Sequence, residues 1–74
     1  MTNVTETFIP PSSSNIESAT YEPDVQNLTI VFSGGREYTF YNVPQSVYRG
    51  LTAAASTGQY VSRFIKGRYA YDQG

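Results

Sequence analysis

The chain has 74 residues and a formal net charge of −1, and it contains neither cysteine nor histidine. This length suffices for one small domain. The missing residue types exclude disulfides, thiolate metal sites and every Ser/His or Cys/His catalytic pair, so the composition favours a binding module over an enzyme. Neither a run of about 18 apolar residues nor a signal-peptide pattern is present, which predicts a soluble protein of the cytoplasm.

Residues 1–13 form a segment rich in Ser, Thr and Pro. The Pro10-Pro11 pair opposes both helix formation and strand pairing, so we expect a flexible, extended tail. Phe8 and Ile9 are its candidate anchors if the tail docks on a partner protein. A solvated tail, or a tail folded back on its own domain, is the alternative. The candidate partner-binding residues of the tail are Glu6, Phe8, Ile9, Pro10 and Pro11.

Three strands are predicted after the tail. The β-branched and aromatic residues of 14–21 predict the first strand, which ends at Glu22-Pro23-Asp24. Residues 28–32 and 36–41 predict two further strands, and the Ser33-Gly34-Gly35 turn between them makes the pair a β-hairpin.

The register of this hairpin follows from its apolar residues. A three-residue loop pairs Ile30 with Tyr38 and Leu28 with Phe40, whereas a two-residue loop would pair apolar with polar residues. The last residue of such a loop is left-handed, a conformation that Gly35 adopts without strain. The predicted core-facing residues are Leu28, Ile30, Phe32, Tyr38 and Phe40.

Two helices are predicted after the hairpin. Pro44 stands at the first position of one helix, and Val47 and Leu51 recur at helical spacing. Ser56 and Gln59 have the spacing of a capping box and begin the second helix. The predicted apolar face of the second helix consists of Tyr60, Val61, Phe64 and Ile65.

The order of these elements predicts an α+β fold. Gly67 is expected to stop the second helix, and residues 69–71 to form an extended end that packs on the sheet. The simplest arrangement is a three-stranded antiparallel meander packed against two C-terminal helices. One domain is therefore expected over residues 14–71, with the tail before it and residues 72–74 after it.

The charged residues are distributed unevenly. Residues 1–35 contain four acids and no base, whereas residues 36–74 contain five bases and two acids. Near the end of the second helix, cations alternate with aromatic residues, a composition typical of surfaces that bind nucleic acid or an acidic protein. The same pattern is that of a helix end whose apolar residues are buried and whose cations are solvated. The candidate partner-binding residues here are Arg63, Lys66, Arg68 and Tyr69.

Tyrosine accounts for seven residues. Tyrosine is enriched at protein-binding surfaces, but small β-rich domains also use it in their cores. Tyr38 and Tyr60 are predicted to lie in the core. The tyrosines predicted to be exposed are Tyr41, Tyr48, Tyr69 and Tyr71.

The sequence gives little support for a metal site or a phosphate site. Glu17, Glu22 and Asp24 lie close in sequence but lack the ligand alternation and the glycine of a calcium loop, so we expect solvated acids. Gly34-Gly35 lacks the following Lys-Ser/Thr of a phosphate-binding loop. The sequence predicts no cofactor, no metal, no membrane contact and no small-molecule substrate.

Short motifs in a fixed order run through the predicted domain. They are Ser14-Asn15-Ile16, Tyr21, Leu28-Thr29-Ile30-Val31-Phe32, Gly35, Tyr38-Thr39-Phe40, Asn42-Val43-Pro44, Tyr48, Ser56-Thr57-Gly58-Gln59-Tyr60, Ile65 and Tyr69. In this order they resemble the KTSC domain, a short module found at the carboxyl end of some lysyl-tRNA synthetases and alone in bacterial and phage proteins. The chain departs from the family's central Tyr-x-Tyr at Phe40 and from its frequent lysine at Thr57.

This resemblance implies binding rather than catalysis. The chain is similar to small phage-encoded regulators that bind the host bacterial RNA polymerase, inhibit initiation by displacing the sigma factor and allow readthrough of terminators. We therefore expect a non-enzymatic transcription regulator in the host cytoplasm, with RNA polymerase subunits and nascent RNA as partners. An RNA-binding accessory module, or a phage interaction module with another partner, is the alternative.

Overall fold

The structure is a computed structural model that describes residues 5–10 and 15–74. The elements in chain order are β1 (Glu6–Phe8), β2 (Ile16–Glu22), β3 (Asn27–Phe32), β4 (Arg36–Phe40), α1 (Gln45–Ala53), α2 (Thr57–Tyr60) and β5 (Tyr71–Gln73). A π-helical segment, Val61–Ile65, continues α2 without a break. The strands form one antiparallel sheet in the order β1-β2-β3-β4-β5. No helix in this part of the chain is long and apolar enough to cross a membrane.

The β3–β4 hairpin has the predicted register. Ile30 lies opposite Tyr38 and Leu28 opposite Phe40, so the apolar side chains of both strands share one face of the sheet. Gly35 has a φ of +86°, and its N–H closes the loop with a 2.9 Å hydrogen bond to the last residue of β3. The fully buried residues of the hairpin are Leu28, Ile30 and Phe40.

A β-bulge shapes β2. Its register with β3 shifts between Ile16 and Ser18, so Glu17 is the extra residue. Ile16 and Ala19 are therefore both buried on the face that carries the helices, although strict alternation would place them on opposite faces.

The sheet has five strands, so the predicted three-stranded meander lacks both edge strands. β1 pairs with β2, where Phe8 lies opposite Ala19. Phe8 packs against the core and Pro10 is buried, so this part of the predicted tail folds back on its own domain. The prediction of a tail without regular structure is wrong for Glu6–Phe8. Pro11 and residues 1–4 and 12–14 lie outside the described residues.

β5 forms the opposite edge of the sheet. Tyr71 lies opposite Phe40, and the hydroxyl of Tyr41 donates a 2.6 Å hydrogen bond to the carboxylate of Asp72. The extended end predicted for residues 69–71 is thus a strand that begins at Tyr71. The strand continues through Gln73, which the sequence had placed beyond the domain.

The helices cover part of one face of the sheet. Pro44 is the N-cap of α1 rather than its first helical residue. Ser56 caps α2 as predicted, because its hydroxyl accepts the N–H of Gln59 at 3.4 Å. Besides Pro10, the buried residues in the described part of the chain are Ile16, Ala19, Tyr21, Leu28, Ile30, Phe40, Val43, Tyr48, Leu51, Thr57, Val61 and Ile65.

The π-helical segment changes which side chains face the core. The N–H of Lys66 donates to the carbonyl of Val61 at 2.8 Å, five residues back, which makes the turn wider than an α-helical one. Val61 and Ile65 are buried, whereas Phe64 is 47% exposed. The prediction that Phe64 belongs to the buried face is wrong. Gly67, with a φ of +78°, follows the last helical turn as predicted.

We expect alkaline pH to destabilise this fold through its tyrosines. Burial raises the pKa of Tyr21, Tyr48 and Tyr60 above the ordinary value of 10.0. Because the folded pKa is the higher one, this stabilisation is complete below the unfolded pKa and is lost as pH rises through the folded pKa. The free energy of unfolding, measured in urea by circular dichroism, should stay nearly constant from about pH 7 to 9 and fall above about pH 10. An unchanged value to about pH 11.5 would contradict this expectation.

Candidate functional site

Four aromatic rings form a cluster on the helix-bearing face of the sheet, near the β4–β5 edge. Ring centroids are 5.4 Å apart for Phe32 and Tyr38 and 6.5 Å apart for Tyr38 and Phe40. The ring of Tyr71 lies 5.5 Å from both Tyr38 and Phe40. Phe40 is buried, Phe32 and Tyr38 are half-buried, and Tyr71 is 53% exposed. The rings therefore form the floor and rim of an open groove, which we call the aromatic cleft.

Two cations lie at this cleft. Lys66 comes directly after the π-helical segment, and its Nζ lies 5.5 Å from the centroid of the Phe32 ring, within range of a cation–π contact. Arg36 lies opposite Phe32 in the hairpin, which places it on the same face. Both cations are exposed. The described residues that line the cleft include no acid, so its local charge is positive.

The cleft contains two adjoining cavities. The first, of about 240 Å³, is lined by Asn15, Phe32, Ser33, Arg36, Tyr38 and Lys66, and we call it the polar cavity. The second, of about 400 Å³, is lined by Tyr38, Phe40, Lys66, Gly67 and Tyr71, and we call it the stacking cavity. Tyr38 and Lys66 line both cavities.

The predicted partner-binding residues of the N-terminal segment differ in their exposure to solvent. Phe8 is partly buried against the core and Pro10 is buried, so neither is free to insert into a partner. Ile9, between them, is 67% exposed, and Glu6 is exposed as well. Of the predicted anchors, Ile9 therefore presents the apolar surface. Pro11 lies outside the described residues.

The residues of the predicted basic stretch lie at different places on the surface. Arg63, Lys66 and Arg68 are exposed and Tyr69 is half-buried, but of these four only Lys66 lines the aromatic cleft. Arg63 lies with the exposed Phe64 at a separate depression of about 220 Å³. The Nε of Arg68 donates to the carbonyl of Arg63 at 3.2 Å, which ties Arg68 back to the helix.

Sequence reasoning placed several cleft residues elsewhere. Tyr38 was predicted to be core, yet it is partly exposed, because the helices cover only part of the apolar face. Arg36 was not assigned to a site, although the predicted register already placed it opposite Phe32. Tyr48, predicted to be exposed, is only 3% exposed and stacks on Tyr21 with ring centroids 4.9 Å apart.

The other face of the sheet has a different character. The register aligns one row across all five strands, and the side chains of that row are Thr7, Thr20, Thr29, Thr39 and Asp72. Glu37 lies on this face too, since it alternates with Arg36 and Tyr38 along β4. The two faces thus differ in charge, and the cationic face is the one with the aromatic cleft.

The acidic residues near the first turn do not assemble into a metal site. Glu17, Glu22 and Asp24 are all exposed. Within residues 5–10 and 15–74, no three acidic side chains come close enough together to hold a metal ion.

Comparison with known proteins places the chain among small domains of one type. The family model for the KTSC domain matches residues 12–69. The crystal structure of a KTSC domain protein from Yersinia pestis superimposes with a TM-score of 0.83 at 28% sequence identity, covering 96% of this chain and 99% of that one.

Two sequence relatives differ in length. A protein of Tsukamurella paurometabola is 45% identical over 60 residues, which are 81% of this chain and 90% of the relative. A lysine–tRNA ligase of Nostoc sp. is 42% identical over 66 residues, which are 89% of this chain but 12% of the ligase. This chain therefore corresponds to a small part of the ligase. Because the family model spans most of its residues, the chain belongs to the KTSC domain family.

Proposed function

We propose that this chain is a non-enzymatic regulator of transcription that binds bacterial RNA polymerase near the nascent RNA. One observation carries the proposal: two chemically different exposed surfaces lie at opposite edges of one sheet. Ile9 follows β1 at one edge, and the cationic aromatic cleft lies by β5 at the other. Four strand spacings separate the edge strands, about 19 Å. Both surfaces can therefore be engaged at once, one by protein and one by RNA.

The surface at β1 suits a protein partner. Ile9 is 67% exposed, while Phe8 and Pro10 on either side are held by the domain. The apolar side chain is therefore presented in a fixed position, which reduces the entropy lost on binding. The choice of RNA polymerase rests on the resemblance to small phage-encoded regulators, which also suggests displacement of the sigma factor and readthrough of terminators as consequences of binding.

The surface at β5 suits RNA. Half-exposed aromatic rings beside cations bind single-stranded nucleic acid, because bases stack on rings while cations contact phosphates. Tyr71, Tyr38 and Lys66 have this arrangement. Since both surfaces belong to one rigid sheet, two individually weak contacts would combine into a stronger one.

The substitution Ile9→Asp tests the protein contact. We expect it to weaken binding to purified RNA polymerase core at least about tenfold, because burial of an Ile side chain contributes about 1.5 to 3 kcal/mol. The measurement is a fluorescence titration of labelled protein at about 0.15 M salt. Deletion of the whole N-terminal segment is a poor test, since it would also remove β1 and the packing of Phe8.

The matched control for this titration is Val25→Asp. Val25 is 52% exposed in the turn after β2, so this substitution adds the same charge at an exposed apolar position away from β1. It should leave polymerase affinity within about twofold. Absence of binding by the unmodified chain, or equal losses in both variants, would contradict the proposed polymerase contact.

An RNA-binding accessory module is the second candidate function, and the aromatic cleft favours it. The name of the lysine–tRNA ligase relative is consistent with an RNA partner. On this alternative, the chain binds a tRNA or single-stranded RNA without polymerase, and Lys66→Glu abolishes that binding while Ile9→Asp leaves it intact. Arg49→Glu, at an exposed position on α1 that does not line either cavity, is the charge control.

A further inference from the structure

We infer that the aromatic cleft is a two-nucleotide site for single-stranded RNA that selects the base at only one of its two positions. This inference rests on the RNA contact in the proposed function. It specifies the length of the ligand that the cleft holds and the position at which sequence is read.

The division of the cleft into two cavities sets the length of RNA that it can hold. The polar and stacking cavities adjoin, and Tyr38 and Lys66 line both. Two consecutive nucleotides in the two cavities would place the phosphodiester that joins them beside Lys66. The cation is already positioned by its contact with the Phe32 ring, 5.5 Å away. A phosphate at this point would pair with the ammonium group of Lys66.

The stacking cavity is suited to any base. Its rings are those of Tyr38, Phe40 and Tyr71, with centroid separations of 5.5 to 6.5 Å. Every base has a face that can stack on such rings, so stacking discriminates little between bases. Gly67, the remaining neutral residue of the lining, has no side chain with which to read a base edge.

The polar cavity is suited to one base over others. Asn15, Ser33 and Arg36 line it together with the Phe32 ring. Amide and guanidinium groups recognise base edges through paired hydrogen bonds, and a ring beside them orients the base. The Asn15 side chain packs closely on α2, since its Oδ1 lies 2.6 Å from where a Cβ on Gly58 would stand. Its amide therefore lies where the polar cavity meets α2, at an exposed position from which it can reach a base edge.

A length series tests the size of the site. Amide chemical shifts of the full ¹⁵N-labelled chain are followed during titration with uridine monophosphate, UpU, UpUpU and hexauridylate. We expect the dissociation constant to fall at least tenfold from the monophosphate to UpU. From UpU to UpUpU, and from UpUpU to hexauridylate, it should change less than about threefold at each step. Shifts should centre on Tyr38, Lys66 and Tyr71. A steady gain with every added nucleotide would overturn the two-nucleotide site.

A base panel tests the selectivity. Dinucleotides of the forms NpU and UpN, with each of the four bases at N, should differ at least threefold in affinity at one position and less than twofold at the other. Asn15→Ala should remove the difference, whereas Gln45→Ala, an exposed carboxamide on α1, should not. Equal selectivity at both positions, or selectivity that survives Asn15→Ala, would overturn the inference.

Failure of the two-nucleotide site can be distinguished from failure of the proposed RNA contact. If hexauridylate binds in a manner that Lys66→Glu abolishes, but UpU binds no better than the monophosphate, the RNA contact stands and the two-nucleotide site is wrong. If no oligonucleotide shifts the cleft resonances at millimolar concentration, the RNA contact of the proposed function is wrong as well.

Discussion

Replacement of Gly50 by alanine is expected to destabilise the protein by about 1 to 3 kcal/mol, although alanine is the better helix former by about 1 kcal/mol. Gly50 lies in α1, and a Cβ at this position would meet the hydroxyl of Tyr60 and lie 2.8 Å from its Cζ. The Tyr60 ring cannot easily withdraw, because its hydroxyl donates a 3.0 Å hydrogen bond to the carbonyl of Val47 in the same helix. The steric cost should therefore exceed the gain in helix propensity.

The Tyr60→Leu background isolates this contact. Without the tyrosine ring, Gly50→Ala should become neutral or stabilising by up to about 1 kcal/mol, since only the helix propensity remains. Urea unfolding of the wild type, both single variants and the double variant, followed by circular dichroism, gives the coupling energy. A single Gly50→Ala variant as stable as the wild type would show that α1 and Tyr60 adjust without cost.

The Gly50 contact also shows what the sequence could predict and what it could not. A glycine inside a predicted helix is explained equally well by close packing of the helix on the sheet and by simple tolerance of the glycine. The residue packed against Gly50 is instead Tyr60 of α2. Helical periodicity identifies which face of a helix is apolar, but the element that meets that face is decided by tertiary packing.

The central hairpin was predictable because its determinants are local. The loop length, the left-handed Gly35 and the alternation of apolar residues together allow one register, with Ile30 opposite Tyr38. The two edge strands were not predicted, because their determinants are not local. β1 and β5 have three residues each, too few to show alternation, and they are ordered by contacts such as Phe8 on the core and Tyr41 with Asp72.

The candidate site was predictable only in part. The sequence singled out Lys66 and placed Phe32 and Tyr38 on the helix-bearing face, and all three line the cleft. It assigned the two rings to the core, because alternation shows which face a residue occupies but not how much of that face the helices cover. The π-helical turn that sets the position of Lys66 has no sequence signal comparable to the capping box of α2.

Removal of one hydroxyl group by Tyr21→Phe is expected to destabilise the protein by about 1 to 3 kcal/mol, out of a total on the order of 5 kcal/mol for a domain of this size. The Tyr21 ring is fully buried and stacks on Tyr48, and its hydroxyl donates a 2.6 Å hydrogen bond to the carbonyl of Val43. Phenylalanine keeps the ring contacts but leaves the Val43 carbonyl without this donor in a buried position. Val43 directly precedes the N-cap of α1, so the lost bond also loosens the attachment of that helix to the sheet.

Tyr41→Phe provides the matched control, since it deletes a hydrogen bond of the same 2.6 Å length to Asp72 at an exposed position. Water can replace the lost partner at Asp72 but not at Val43, so burial rather than bond length should decide the outcome. Urea unfolding should therefore show a clearly lower midpoint for Tyr21→Phe than for Tyr41→Phe, with equal slopes for the two variants. Equal midpoints would mean that the Val43 carbonyl finds another donor when the Tyr21 hydroxyl is absent.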